Sequence, residues 1–201
     1  MVGMTRQMRD MFKMDRRHFW LRDADLTYCS ARHLILSDDL FFRPPGGYLL
    51  HLAVEKYFKA IRIVLRPQIR ERKGGHDLSS LHSSVIRYFQ PLNTPEVKAA
   101  IMKVEHLANW RYVDSHSDQT RLLLDDALAQ ADFLVAKGRS VIPSEVRFQG
   151  LRRILQLTGD HRQRLIEAVF KNNAQQNYWK GELLGINQAL DITIGKYLDN
   201  C

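Results

Sequence analysis

Residues 48–65 read YLLHLAVEKYFKAIRIVL, and this stretch decides the fold. Apolar residues recur three and four positions apart, as on one face of an α-helix, while charged residues take the other face. The apolar residues are Leu50, Ala53, Val54, Tyr57, Phe58, Ile61, Val64 and Leu65, and the charged residues are Glu55, Lys56, Lys59 and Arg62. The pattern predicts a helix from about Tyr48 to Leu65, ended by Pro67 and packed in a helical bundle.

Similar spacing predicts helices on both sides of this stretch. An earlier helix covers about residues 22–36, and the sequence Pro44-Pro45-Gly46-Gly47 breaks the chain before Tyr48. Later helices begin at Asp77, at Thr94-Pro95 and near Ser117, and Gly138 is placed to cap the last of them. With no competing strand pattern, the predicted fold is all-α: an up-and-down bundle of about five helices plus a C-terminal helical extension.

The chain divides into three predicted parts. Residues 1–17 form a basic N-terminal arm or short helix, residues 18–140 form the bundle, and residues 141–201 form the extension. The extension is too small to fold alone and should pack on the bundle or on another subunit. Within it, Gly181 and Gly185 leave a flat spot that another helix could approach closely.

The net charge of +8 lies mainly in the first third, where residues 1–74 hold 15 Lys and Arg residues against 8 Asp and Glu residues. Such a surface favours a polyanionic partner through counterion release. Before and within the first helix, basic residues alternate with Phe12, Phe19 and Trp20, a composition typical of single-stranded RNA contacts. The alternative is that Phe19 and Trp20 anchor the first core helix.

Other features predict a cytoplasmic protein that is not exported. No window approaches the roughly 18 to 20 apolar residues of a membrane helix, so no membrane partner is expected. Cys29 and Cys201 lie far apart in sequence and are expected to be free thiols. The sequence has no glycine-rich phosphate loop and no His/Cys cluster at metal-ligand spacing, so neither a cofactor nor a metal is expected.

Three short motifs resemble signatures of HEPN domains, the "higher eukaryote and prokaryote nucleotide-binding" helical bundles. Residues 53–60, AVEKYFKA, resemble the A-x-E-K-x-x-K-A motif of the second helix. Residues 76–81, HDLSSL, resemble an H-D-L-x-x-L helix start, and residues 111–114, RYVD, resemble an R-Y-P-D turn with Val113 in place of the usual proline. The order and spacing agree across about residues 18–138, and the resemblance does not extend to the C-terminal helices.

The resemblance implies a dimer, and many HEPN members are metal-independent ribonucleases with an Arg-x4-6-His motif assembled from two subunits. Arg111 and His116 have this spacing. Arginine can hold a scissile phosphate, and histidine can move a proton near neutral pH. Residues five apart on an ideal helix point about 140° away from one another, so the pair converges only if the helix ends between them or if two chains cooperate.

Further site residues are expected around this turn. Glu55 and Lys59 could line the same groove, together with Tyr112 and Asp114, although charges on an amphipathic helix are often merely solvated. The basic loop that carries Arg70, Arg72 and Lys73 could close over a nucleic acid or be a solvated linker.

Two functions remain open from the sequence. The first is a HEPN-like dimer that binds RNA or a nucleotide. Such a dimer would be the endoribonuclease of a toxin-antitoxin or phage-defence system, and its partner would be an antitoxin. The second is a non-catalytic helical adaptor that binds a partner such as a small nucleotidyltransferase. Tyr112 bears on this choice, because nuclease-like members commonly have Asn, Asp or His after the arginine. In the second case Arg111 would form a salt bridge with Asp114 or Glu105, and His116 would be an exposed loop residue.

Overall fold

A computed structural model describes residues 6–37, 39–65, 77–112, 118–144, 146–148, 151 and 159–190. Within these ranges the structure is helical and contains no β-strand, which confirms the all-α prediction. The α-helices are α1 (Arg6–Ile35), α2 (Arg43–Leu65), α3 (Leu78–Ile86), α4 (Pro95–Glu105), α5 (Asp118–Ser140), α6 (Gly159–Phe170) and α7 (Gln176–Leu190). Short 3₁₀ helices span Leu40–Phe42, Gln90–Leu92 and His106–Tyr112.

Helices α1 and α2 pack antiparallel and form the centre of the bundle. Near the connection between them, Gly46 lies against Ile35, and a Cβ atom at Gly46 would be 2.7 Å from Ile35 Cγ1. Towards the far end, the Tyr57 hydroxyl donates a hydrogen bond to Asp25. Helix α2 also contacts α3, α5 and the 3₁₀ helix His106–Tyr112, so it is the element around which the other helices are arranged.

Three helix ends predicted from the sequence were wrong. The Pro44-Pro45-Gly46-Gly47 sequence lies in the first turns of α2, where N–H groups have no helical partner and proline is tolerated. Helix α1 begins at Arg6, about 16 residues before the predicted start, because its polar N-terminal half has no apolar stripe. Gly138 does not cap α5, which continues to Ser140; a Cβ atom at Gly138 would be 3.2 Å from Ile61 Cδ1, so this glycine allows α5 to approach α2.

Asp77 and Thr94 were correctly predicted as helix starts. The Asp77 carboxylate accepts a hydrogen bond from the Ser79 N–H at 2.9 Å, and the Thr94 hydroxyl oxygen accepts one from the Val97 N–H at 3.3 Å. Each satisfies one of the N–H groups left without a partner at a helix start.

A fully buried arginine, Arg139 of α5, joins the bundle to the C-terminal helices. It forms an ion pair with Asp25 of α1 and a second one, at 3.0 Å, with Glu182 of α7. Its guanidinium also lies 5.1 Å from the ring centroid of Trp179. Burial acts to lower the pKa of Arg139, but the neighbouring acidic groups, Asp25 foremost, together outweigh this effect and the pKa lies well above its ordinary value. Arg139 therefore stays charged, and its contacts hold α1, α5 and α7 together.

A second buried arginine, Arg32 of α1, connects to α6. It forms an ion pair with Asp132 of α5 and donates a hydrogen bond to the Ala168 carbonyl at 2.6 Å. The Tyr28 hydroxyl donates to the same Asp132 at 2.8 Å, and the Tyr28 ring stacks on Trp179 with centroids 5.5 Å apart. The C-terminal helices thus pack on the bundle of the same chain.

The two glycines of α7 differ in their surroundings. A Cβ atom at Gly185 would be 2.7 Å from Phe148 Cζ, whereas one at Gly181 would have no neighbour within 4 Å. The surface at Gly185, where another helix was predicted to approach, is therefore covered by Phe148 of the same chain.

Cys29 is a buried free thiol, as predicted, in the core between α1 and the C-terminal helices. It borders an apolar cavity of about 20 Å³, which is also lined by Trp179 and Phe170 and has room for about one water molecule. Burial raises the pKa of the Cys29 thiol, so the reactive thiolate form is suppressed.

Candidate functional site

The 3₁₀ helix His106–Tyr112 continues α4 and lies against α2. Its Leu107 side chain is buried in the core, and Trp110 packs over Gly47 of α2. A Cβ atom at Gly47 would be 3.1 Å from Trp110 Cε3, so a larger residue there would push the two elements apart. This close packing fixes the backbone of the segment that ends in Arg111 and Tyr112 beside the first turns of α2.

Glu105, the last residue of α4, ties this segment to the start of α3. Its carboxylate accepts hydrogen bonds from the Leu78 N–H at 3.1 Å and from the Ser79 hydroxyl at 2.6 Å. The neighbouring Asp77 accepts from the Ser80 hydroxyl at 2.7 Å. Hydrogen bonding to Glu105 and then to Ser80 lowers the pKa of Asp77 to about 2. The second motif of the resemblance is therefore tied to the end of α4, directly before the 3₁₀ helix that carries Arg111.

Glu55 of α2 is buried, although the sequence pattern placed it on the solvated face. The prediction was wrong because α2 is covered by α1, α3, α5 and the 3₁₀ helix His106–Tyr112, which leaves little of its surface to water. The Glu55 carboxylate forms an ion pair with Lys59 Nζ at 2.5 Å, and the Glu55 side chain is only 4% exposed. His51, one turn earlier on α2, is also buried.

Lys59 connects this buried pair to the surface of α1. Its ammonium lies 5.3 Å from the centroid of the Trp20 ring, close enough for a cation–π contact. The neighbouring Lys56 forms an ion pair with Asp23 at 2.9 Å and donates to the Thr27 hydroxyl at 2.8 Å. Of the two lysines, Lys59 is the one fixed on its helix by a buried carboxylate.

The predicted site residues fall into three groups. Glu55 and Lys59 are in contact. Arg111 and Tyr112 are the last two residues of the 3₁₀ helix, and their backbone is described. Those outside the described residues are Asp114, His116, Arg70, Arg72 and Lys73. Since α4 ends at Glu105, Arg111 lies on the 3₁₀ helix and not within an α-helix.

Trp20 was predicted as part of a basic and aromatic run but not as a neighbour of Lys59, which it contacts in the structure. The position of Trp20 around the axis of α1 was the feature that could have indicated this contact. Sequence spacing showed a basic and aromatic run but could not show which aromatic residue would face α2.

Two further observations concern the described residues. They contain no group of three or more His, Cys, Asp or Glu side chains that could hold a metal ion. In the same part of the chain, no helix has both the length and the apolar character needed to cross a membrane.

Comparisons of the chain with protein-family models, with curated proteins and with solved structures found no match.

Proposed function

We propose that this chain forms a HEPN-like homodimer that binds RNA or a nucleotide and, in a toxin-antitoxin or phage-defence system, cuts RNA without a metal ion. One observation carries the proposal. Helix α2, which bears the buried Glu55–Lys59 pair, packs against the 3₁₀ helix that ends with Arg111 and Tyr112. Two of the three resembling motifs thus lie on elements in direct contact.

The buried pair supports a binding role because it constrains a cation. An exposed lysine loses side-chain entropy when it binds a phosphate, whereas Lys59 is already held by Glu55 and by the face of Trp20. A lysine held in this way, about 18 Å along α2 from Gly47 and its contact with Trp110, would contact the RNA backbone at a fixed place.

The proposed reaction uses the ribose as its own nucleophile. His116 takes the proton from the 2′-hydroxyl, and the 2′-oxygen then attacks the adjacent phosphorus. The bond to the 5′-oxygen breaks, and that oxygen receives a proton from His116 of the partner subunit. Arg111 stabilises the charge that develops on the phosphate oxygens. The products are a 2′,3′-cyclic phosphate and a 5′-hydroxyl.

The test is to incubate the purified protein with mixed RNA in EDTA and to analyse the ends of the products. Cyclic-phosphate ends are expected from the wild type and from His106→Ala, and their loss is expected with His116→Ala. His106 is a matched control because it is an exposed histidine at the start of the same segment. Equal cleavage by wild type and His116→Ala would overturn the catalytic assignment. If the wild type neither cuts nor binds RNA or a nucleotide, the adaptor function replaces the proposal.

A further inference from the structure

Phe19 and Trp20 lie on α1 beside α2, and their surroundings differ from those of ordinary core aromatics. The Phe19 side chain is 51% exposed, whereas the expectation that it anchors the core would require burial. The two rings meet edge to face, with centroids 6.2 Å apart and planes at 81°. Trp20 packs against the core and supports Phe19, and Phe19 projects towards water.

A cation accompanies each ring. The Arg22 guanidinium carbon lies 5.5 Å from the Phe19 centroid, and the Lys59 ammonium lies 5.3 Å from the Trp20 centroid. Lys59 covers the face of Trp20, which leaves Phe19 as the more accessible ring. An exposed phenylalanine beside two cations combines the elements that bind single-stranded nucleic acid, namely a surface on which a base stacks and positive charges that contact the phosphates.

The two nearby carboxylates are each paired with a lysine of α2. Asp23 is paired with Lys56 at 2.9 Å, and Glu55 is buried and paired with Lys59 at 2.5 Å. Among the described residues the exposed Arg22 forms no ion pair, so it is the cation beside the Phe19 ring whose charge no described carboxylate balances. This surface therefore suits a ligand with flat apolar groups on an anionic backbone better than it suits an apolar protein surface.

We propose that Phe19, Trp20, Arg22 and Lys59 form a stacking platform for a base of single-stranded RNA. The base stacks on Phe19, and Arg22 and Lys59 contact the flanking phosphates. This inference rests on the RNA-binding function proposed above, and it adds the RNA class and the residues that bind it.

The position of the platform on α2 also defines the length of the ligand. Lys59, which contacts Trp20, is 12 residues after Gly47, which contacts Trp110. At 1.5 Å per residue this corresponds to about 18 Å along the helix axis. A ligand that contacted both Phe19 and the segment ending at Arg111 would therefore span more than one nucleotide, and it would also have to curve round α2, because Gly47 and Lys59 point about 120° apart on the helix.

The test measures the binding of a labelled 12-nucleotide single-stranded RNA by fluorescence anisotropy at low salt. The RNA is 2′-O-methylated, so that it lacks the hydroxyl needed for cleavage. Phe19→Leu removes the ring but keeps an apolar side chain, and Phe19→Tyr keeps the ring. Phe41→Leu is the matched control, because Phe41 is 70% exposed and follows the other end of α1, and about 24 Å of helix axis separates Phe19 from Ile35 at that end.

Phe19→Leu is expected to weaken binding about 5- to 150-fold, the range for losing one base stacked on an aromatic ring. Phe19→Tyr and Phe41→Leu are expected to bind like the wild type. The same RNA without bases should bind more weakly, and Phe19→Leu should not weaken it further. Wild-type affinity in Phe19→Leu would overturn the platform while RNA binding itself stands. If the wild type binds neither RNA, RNA binding fails as well, and the platform fails with it.

Discussion

Replacing Arg139 with methionine removes the cation that holds α7 against α1 and α5. The change leaves Asp25 buried without its ion pair, because the Tyr57 hydroxyl is then the one described group that still donates to it. Glu182 keeps a partner, since Arg147 Nε lies 2.9 Å from its carboxylate. Removing one partner of a buried ion pair costs about 3 to 5 kcal/mol. We expect Arg139→Met to lower the free energy of unfolding by this amount, a large part of the roughly 5 to 15 kcal/mol typical of a native protein.

The assay is urea unfolding followed by circular dichroism at pH 7, with Lys103→Met as the matched control. Lys103 forms an ion pair with Asp126 at 2.8 Å, but their side chains are 49% and 47% exposed. Such a surface pair contributes about 0.2 to 1 kcal/mol, so the control should stay close to the wild type. If Arg139→Met loses no more stability than Lys103→Met, the buried network does not hold the C-terminal helices as described.

The defect of Arg139→Met should also depend on pH. Burial raises the pKa of the Asp25 carboxyl above its ordinary value of 3.8 even with Arg139 present, and without the arginine nothing of similar strength opposes that rise. A group whose pKa is higher in the folded state than in the unfolded state contributes its full stabilisation of the fold below the unfolded-state pKa. That stabilisation is lost as the pH rises through the folded-state pKa. The gap between Arg139→Met and wild type should therefore be smaller at pH 4 than at pH 7. A gap independent of pH would mean that an unpaired Asp25 charge is not its cause.

Three further changes have simple expected outcomes. Asp77→Ala should destabilise the protein by about 0.5 to 2 kcal/mol in urea unfolding at pH 7. Because the pKa of Asp77 is lowered to about 2, its carboxylate stabilises the fold fully above pH 3.8, and this stabilisation is lost as the pH falls through 2. Gly181→Ala should raise the free energy of unfolding by about 0.5 to 1 kcal/mol, while Gly185→Ala should gain less because its Cβ would meet an aromatic ring. In a Cys201→Ser background, Cys29 should react with a thiol reagent at pH 8 only after unfolding, and rapid reaction in the native protein would contradict its burial.

The sequence predicted the helices whose apolar residues follow the helical period. The pattern of residues 48–65 predicted α2 well because its apolar positions from Leu50 to Ile61 are buried. It failed at Pro44 and Pro45, since a rule for helix interiors was applied to a first turn, where proline removes no helical hydrogen bond. It also failed at Glu55, because periodicity describes a helix with one covered face and α2 has several.

The buried ion pairs of the arginines could have been predicted in part from the sequence of α1. Asp25 and Arg32 are seven positions apart on α1 and share the face of Tyr28, which the apolar pattern assigns to the core. Charged residues at core positions need partners, so this spacing indicates buried ion pairs. Their partners Arg139 and Asp132 lie more than 90 positions later, and local periodicity cannot pair residues across such a distance.

For the candidate site, the sequence alone indicated the candidate residue types and their order. The contacts between these residues could be seen only in the structure. The resemblance selected Glu55, Lys59 and Arg111, and the structure adds that the first two form a buried ion pair. The contact between Lys59 and Trp20 depends on the relative rotation of α1 and α2, which packing determines.

The most direct test of the proposed function compares one RNA with its fully 2′-O-methylated copy, each incubated with the wild-type protein in EDTA. The 2′-hydroxyl is the nucleophile in the proposed reaction, so the methylated copy should bind but remain intact. The account predicts that the RNA is cut, that its products end in 2′,3′-cyclic phosphates, and that the copy is not cut. Cleavage of both strands, or of neither, would contradict it.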